Sequence, residues 1–149
     1  SFCLFVAQLG ILGKAPIAPG TVATIVAGIP SAGLLGLVGL PTALLLVALL
    51  FIVGCYAADA AETELQKTDP SEVVIDELIG FLITIVGFPF TPLTLALGIA
   101  GFRLLDIWKP WPVSALDARL KGGVGIVVDD VAAGVLARLL VWAGLEIWG

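Results

Sequence analysis

Four short stretches carry the residue types that could do chemistry. In Val73-Val74-Ile75-Asp76-Glu77-Leu78-Ile79-Gly80, two adjacent carboxylates stand at the head of an apolar run. One acid is enough to favour the first turn of a helix. The second asks for another use, because an ionisable group at the edge of such a run is costly. In Phe102-Arg103-Leu104-Leu105-Asp106-Ile107-Trp108-Lys109-Pro110-Trp111-Pro112, Arg103, Asp106 and Lys109 recur at every third residue. On a helix they follow roughly one face, and the prolines then stop it. A planar Arg fork and a Lys point charge suit phosphate oxygens. The same spacing also fits an interfacial helix whose bases reach for water, with Trp108 and Trp111 at headgroup level.

Lys121-Gly122-Gly123-Val124-Gly125-Ile126-Val127-Val128-Asp129-Asp130 offers glycines whose backbone N–H groups could approach an anion, or an ordinary loop. Neighbours on a helix point about 100° apart. One of Asp129 and Asp130 is therefore expected to cap the last helix and the other to face inward. Hard carboxylate oxygens without His or Cys suit Mg2+. In Gly13-Lys14-Ala15-Pro16-Ile17-Ala18-Pro19-Gly20-Thr21, Lys14 lies in a rigid turn where it could hold phosphate, and Thr21 could cap the helix that follows.

The elements that must position these residues are apolar. Of 149 residues, 60% are hydrophobic and 13% charged, against about 25% charged in soluble domains. Mean hydropathy is +1.15, so lipid is the expected solvent. The net charge of -5 argues against a nucleic-acid partner. The absence of His excludes an imidazole base or ligand. Cys3 and Cys55 lie in apolar stretches and read as buried thiols rather than a disulfide or metal pair. Phe2–Val6 follows no basic start and does not read as a signal peptide, and the lack of Met reads as a lost initiator.

The expected fold is one all-α domain over 1-149, a polytopic membrane protein with about four to five transmembrane or half-spanning helices and its polar motifs on one face. Val22–Leu40 and Thr42–Ala61 form one hairpin. Asp69-Pro70 marks a turn, with a new helix from Ser71. Leu78–Phe88 and Thr91–Leu105 form a second hairpin, broken around Pro89 and Pro92, in preference to a single kinked span. Val131–Trp148 is the last span, and Arg138 within it is expected to face inward in an ion pair. This arrangement puts Lys14, Lys67, Arg103, Lys109, Arg119 and Lys121 on one side, which the positive-inside rule makes cytoplasmic.

Taken together, the stretches resemble the phosphatidylglycerophosphatase A family, in that family's order, from Gly13 to Gly134. The most specific parts are Phe102–Pro112 and Gly122-Gly123-Val124-Gly125-Ile126-Val127-Val128-Asp129-Asp130-Val131-Ala132-Ala133-Gly134. Ile75–Gly80 and Pro16–Thr21 complete the set, and Ala23 departs from the Gly common in the family. The resemblance implies a Mg2+-dependent lipid phosphatase of the bacterial inner membrane, making phosphatidylglycerol from phosphatidylglycerophosphate on the cytoplasmic side. On that expectation Asp76, Glu77, Asp129 and Asp130 are candidate Mg2+ ligands. Lys14, Arg103 and Lys109 hold phosphate charge. Asp106 is a ligand, a general base or a nucleophile.

Two alternatives remain at this stage. Asp117-Ala118-Arg119 and Gly125–Asp129 echo a CDP-alcohol phosphotransferase, without that family's Asp-Gly pair or acid spacing. Proline-broken apolar runs are also compatible with a small transporter or channel, although the charges gather at one face.

Overall fold

Proline, glycine and left-handed residues punctuate the apolar runs where the chain turns. The computed structural model describes residues 1–149. The chain is helical, with no strand. After α1 (Phe2–Ala7) and a tight turn at Leu12–Lys14, α2 (Pro19–Ala23) runs through a widened turn, Thr24–Gly28, into α3 (Ile29–Leu35). Pro30 lacks the N–H that would close the preceding turn, and the helix widens there. Next comes α4 (Leu40–Leu65), with Pro41 in its first turn. Helix α5 (Ile75–Ile85) is followed by α6 (Pro92–Trp108), α7 (Val113–Arg119) and α8 (Gly122–Trp148). Thr91 caps α6 by accepting from the Thr94 N–H.

The second hairpin forms as expected. Helix α5 stops at Ile85 and α6 starts at Pro92. Glu77, at the head of α5, meets Arg103, near the tail of α6, which requires the two helices to run antiparallel. Other expectations are corrected. The helix expected from Ser71 starts at Ile75, after a turn. Thr21 lies inside α2 and does not cap it; Ala18, with φ 46°, precedes Pro19 there. The membrane expectation is a separate matter: one helix, Leu40–Leu65, is long and apolar enough to cross a membrane by itself, and Pro19–Leu35 is a shorter apolar helix.

Helix α8 is the axis of the bundle and packs against α4, α5, α6 and α7. One core cluster joins Leu78, Phe81 and Leu82 of α5 to Phe102 of α6 and to Ala133 and Ala137 of α8. A second joins Ala57, Ala58 and Ala61 of α4 to Ile75, Ile79 and Val127. On α4 the small residues face in, while Leu45, Leu49, Ile52 and Tyr56 face out and are exposed. Small residues let backbones approach closely, the rule for helices packed in lipid.

Helices α5 and α8 approach each other closely. A Cβ on Gly134 would sit 2.4 Å from the Gly80 carbonyl oxygen. The Thr84 hydroxyl donates to the Gly80 carbonyl at 2.9 Å and lies 3.3 Å from that of Gly134. This crossing brings Asp76 and Glu77, one turn before Gly80, beside Asp129 and Asp130, one turn before Gly134.

Arg138 forms no ion pair, contrary to expectation. Its guanidinium donates to the carbonyls of Ile83 and Val86 at 3.2 and 2.6 Å and lies 4.4 Å from the Phe88 ring centre. It satisfies the open carbonyl end of α5, a favourable place for a cation. Both cysteines are free; Cys55 is half-buried, but Cys3 is exposed, not buried as expected.

Candidate active site

The polar stretches converge on one cavity of about 390 Å³. Asp76 and Glu77 reach it from the first turn of α5, and Arg103, Asp106 and Lys109 from the last turns of α6 and its cap. Asp129 and Asp130 reach it from α8, Ala18, Pro19 and Gly20 from the start of α2, and Asp69 from the turn after α4. The every-third spacing of Arg103, Asp106 and Lys109 does place them on one wall, as the sequence predicts. A Cβ at Gly20 would lie 1.8 Å from Glu77 Oε1, so the lack of a side chain there admits the Glu77 carboxylate.

Lys14 is the exception among the predicted site residues: it is exposed and does not line the cavity. The Gly13–Thr21 stretch contributes Ala18, Pro19 and Gly20 instead. The glycines of Gly122–Gly125 do not line the cavity either. A Cβ on Gly123 would strike the Cys55 carbonyl oxygen at 2.1 Å, so this glycine seats the start of α8 against α4. Neither Asp129 nor Asp130 caps α8. That task falls to Asp59 of α4, whose Oδ1 accepts from the Gly123 N–H at 3.2 Å.

Each base is already held by acids. Arg103 Nη1 donates to Asp106 Oδ2 at 2.6 Å and lies 3.4 Å from Glu77 Oε1. Lys109 Nζ donates to Asp129 Oδ2 at 2.7 Å and to Asp117 Oδ1 at 3.0 Å. Four buried polar atoms have no partner: Asp76 Oδ1, Glu77 Oε2, Asp130 Oδ2 and Arg103 Nε. Unpaired buried groups of this kind are rare in folded proteins, because each costs about 1–3 kcal/mol.

These acids precede the apolar stretches Leu78–Phe88 and Val131–Trp148, and their electrostatics are unfavourable without a positive neighbour. Burial pushes the Asp76 carboxyl well above the ordinary range, and Glu77 adds to the effect. Burial does the same to Asp130, with Asp76 and Asp106 adding repulsion. Burial lifts Glu77 to about 7 against the pull of Arg103, and lifts Asp129 to about 6 against the pull of Lys109. Burial alone would lower Lys109, but its hydrogen bonds to Asp129 and Asp117 outweigh that and leave it above the ordinary lysine value.

The donor set fits a hard divalent cation: oxygen ligands only, several without a partner. No group of three acids is drawn close enough to form a finished cage. Mutual repulsion spreads uncompensated carboxylates, and Mg2+ commonly takes one or two of them while keeping several waters.

Two lining or neighbouring acids were not singled out as site residues from the sequence. Asp69 reads there as part of an Asp-Pro turn, and Asp117 as part of the phosphotransferase echo. A separate cavity of about 180 Å³ lies at the other end of α5, between Ala32, Leu82, Phe88 and Leu95, and no charged residue lines it.

Fold and site together define a class: an all-helical protein whose buried acids and bases, remote from one another in the chain, converge on one polar cavity. The model of the family described as Phosphatidylglycerophosphatase A matches residues 5–145, and the chain belongs to that family. It is 36% identical over 126 residues to Phosphatidylglycerophosphatase A of Escherichia coli, covering 84% of this chain and 73% of that one. It is 34% identical to the Haemophilus influenzae protein of the same name, over 88% of this chain and 80% of that one. A Bacteroides thetaiotaomicron protein named "Putative phosphatidylinositol-3-phosphatase" is 35% identical over 87% of this chain and 84% of its own length. No solved structure matches the chain.

Proposed function

We propose that this protein is a Mg2+-dependent lipid phosphatase that hydrolyses phosphatidylglycerophosphate to phosphatidylglycerol and phosphate. The observation that carries the reading is the set of unpartnered buried oxygens on Asp76, Glu77 and Asp130, around a cavity that also holds Arg103 Nε without an acceptor. Family membership directs that chemistry to a lipid phosphomonoester.

Asp76 and Asp130, with Asp106 beside them, would hold the cation. When bound, Mg2+ neutralises phosphoryl oxygens and acidifies water. Arg103 directs Nε at a phosphoryl oxygen while Glu77 and Asp106 fix its plane. Lys109 spends two of its three donors on Asp129 and Asp117 and keeps one for the phosphate. On this reading Asp129, first considered a metal ligand, positions Lys109. The Asp106 carboxylate either takes a proton from the attacking water or attacks phosphorus itself. In both cases the P–O bond to the lipid headgroup breaks and the headgroup oxygen leaves with a proton. On the second route water then hydrolyses the aspartyl-phosphate. A trapped aspartyl-phosphate, lost in Asp106→Asn, selects direct attack.

In this proposal the helices sit in the bacterial inner membrane as a multi-pass bundle, with the cavity facing the cytoplasm. Supporting this are the outward-facing Leu45, Leu49 and Ile52 of α4. Exposed Trp108 and Trp111 beside the cavity and exposed Trp148 at the far end of α8 suit the two interfaces. The test is phosphate release by purified protein in detergent, from phosphatidylglycerophosphate, with Mg2+ present or chelated. Release that depends on Mg2+ is expected; turnover unaffected by chelation would remove the cation from the proposal.

A further inference from the structure

The acids of the cavity fall into a deep set and a rim. Asp76, Asp129 and Asp130 are buried, whereas Asp69 is exposed at the mouth. Asp69 lines the same cavity as Lys109 and Asp106, and its carboxylate feels both of them together with Asp117 and Glu62. Its backbone is anchored: the Asp69 N–H donates to Glu62 Oε1 at 2.7 Å, and the next residue, Pro70, is buried. The hydrogen bonds of this turn leave the Asp69 carboxylate itself without a donor. Asp69 thus presents uncommitted acceptor oxygens, on an anchored backbone, at the cavity that Lys109 also lines.

A carboxylate only accepts hydrogen bonds. It repels phosphate oxygens, so its complement is a donor attached near the phosphate. The substrate proposed above carries one, a free hydroxyl on the carbon next to the phosphorylated carbon. We infer that Asp69 is a specificity-determining residue that accepts a hydrogen bond from this headgroup hydroxyl. The inference rests on the lipid-phosphomonoester reading of the site. Lys109 and Arg103 take the phosphate, the deep acids take the cation, and Asp69 selects lipids whose phosphate sits on a hydroxylated headgroup over those whose phosphate sits directly on diacylglycerol.

The backbone at Asp69 has φ 48°, so the informative variants are residues at ease there, Asp69→Gly and Asp69→Asn. Each is compared with the parent protein on phosphatidylglycerophosphate and on diacylglycerol phosphate, with kcat and KM measured separately across a Mg2+ titration. For Asp69→Gly, kcat/KM on phosphatidylglycerophosphate should fall about 10- to 100-fold, the range for a lost hydrogen bond to a charged group. Most of the loss should lie in KM, activity on diacylglycerol phosphate should hold, and Asp69→Asn should fall between. Equal losses on both lipids, or a raised Mg2+ requirement, would place Asp69 on the phosphate or the cation and overturn the inference while leaving the phosphatase reading intact. A parent protein inert on both lipids would overturn both.

Discussion

The two ends of α5 each hold charge in a mostly apolar protein, and they treat it in opposite ways. At the Ile85 end, Arg138 has two carbonyl acceptors and an aromatic face, and the adjoining cavity has no charged lining residue. At the Ile75 end, Asp76, Glu77 and Asp130 keep oxygens without a donor. A charge held by carbonyls of the fold itself is part of the scaffold. A charge left unsatisfied in a buried place costs stability, and persists where a ligand completes it.

The strongest way to break this comparison is Asp130→Asn. Phosphate release should fall by about 100- to 1,000-fold, the scale of losing one charge-stabilising group in an active site. The melting temperature in chelator should hold or rise, because a repelling buried acid has gone. A variant that loses its fold along with its activity would make Asp130 scaffold.

Gly134→Ala attacks the contact that holds the acidic helices together. Its Cβ would lie 2.4 Å from the Gly80 carbonyl oxygen, and forcing α5 from α8 should cost about 1–3 kcal/mol. Activity per folded molecule should fall too, since the displaced turns carry the acids. Unfolding curves and specific activity, read together, check both effects.

Arg138→Met tests the other end. Leaving the Ile83 and Val86 carbonyls without their donor should cost about 1–3 kcal/mol in an unfolding titration, with kcat unchanged. A large fall in kcat without loss of stability would erase the distinction between the two ends.

The smallest effect sharpens the comparison through pH. Glu77 rises from the ordinary 4.5 to about 7, and Asp129 from 3.8 to about 6. Folded-state values above the unfolded ones mean that the native protein binds more protons in this window. Stability is therefore fullest below about pH 4 and declines as pH rises through about 7. Melting temperatures in chelator should drop between pH 5 and pH 8, and Mg2+ should flatten that slope. A slope of the opposite sign would show that these acids are stabilised as anions by the protein alone.

Much of the cavity's polar lining was legible beforehand. The every-third spacing of Arg103, Asp106 and Lys109 predicts a shared wall, and they share one. The Asp76-Glu77 and Asp129-Asp130 pairs were recognisable because acids at the border of apolar runs are costly. Lys14 misled, since a base in a proline turn reads the same whether it faces a cavity or water. Arg138 misled in its partner, since carbonyls at a helix end leave no mark in the sequence. Asp69 passed as punctuation because an Asp-Pro turn gives no sign of where its carboxylate points.

The order of residues by itself determined the helical class, the apolar surroundings and the kind of chemistry available. With no His, and both cysteines in apolar stretches, oxygen ligands and Lys or Arg carry the polar motifs, and short-range patterns of Pro, Gly and apolar residues dictate local structure. Tertiary structure alone decided which acids are committed and which are free. Lys109 could have paired with any of several carboxylates, and took Asp129 and Asp117 because α6 and α7 both pack against α8. Pairing energies depend on distance and burial, and both arise only when residues remote in the chain are packed together.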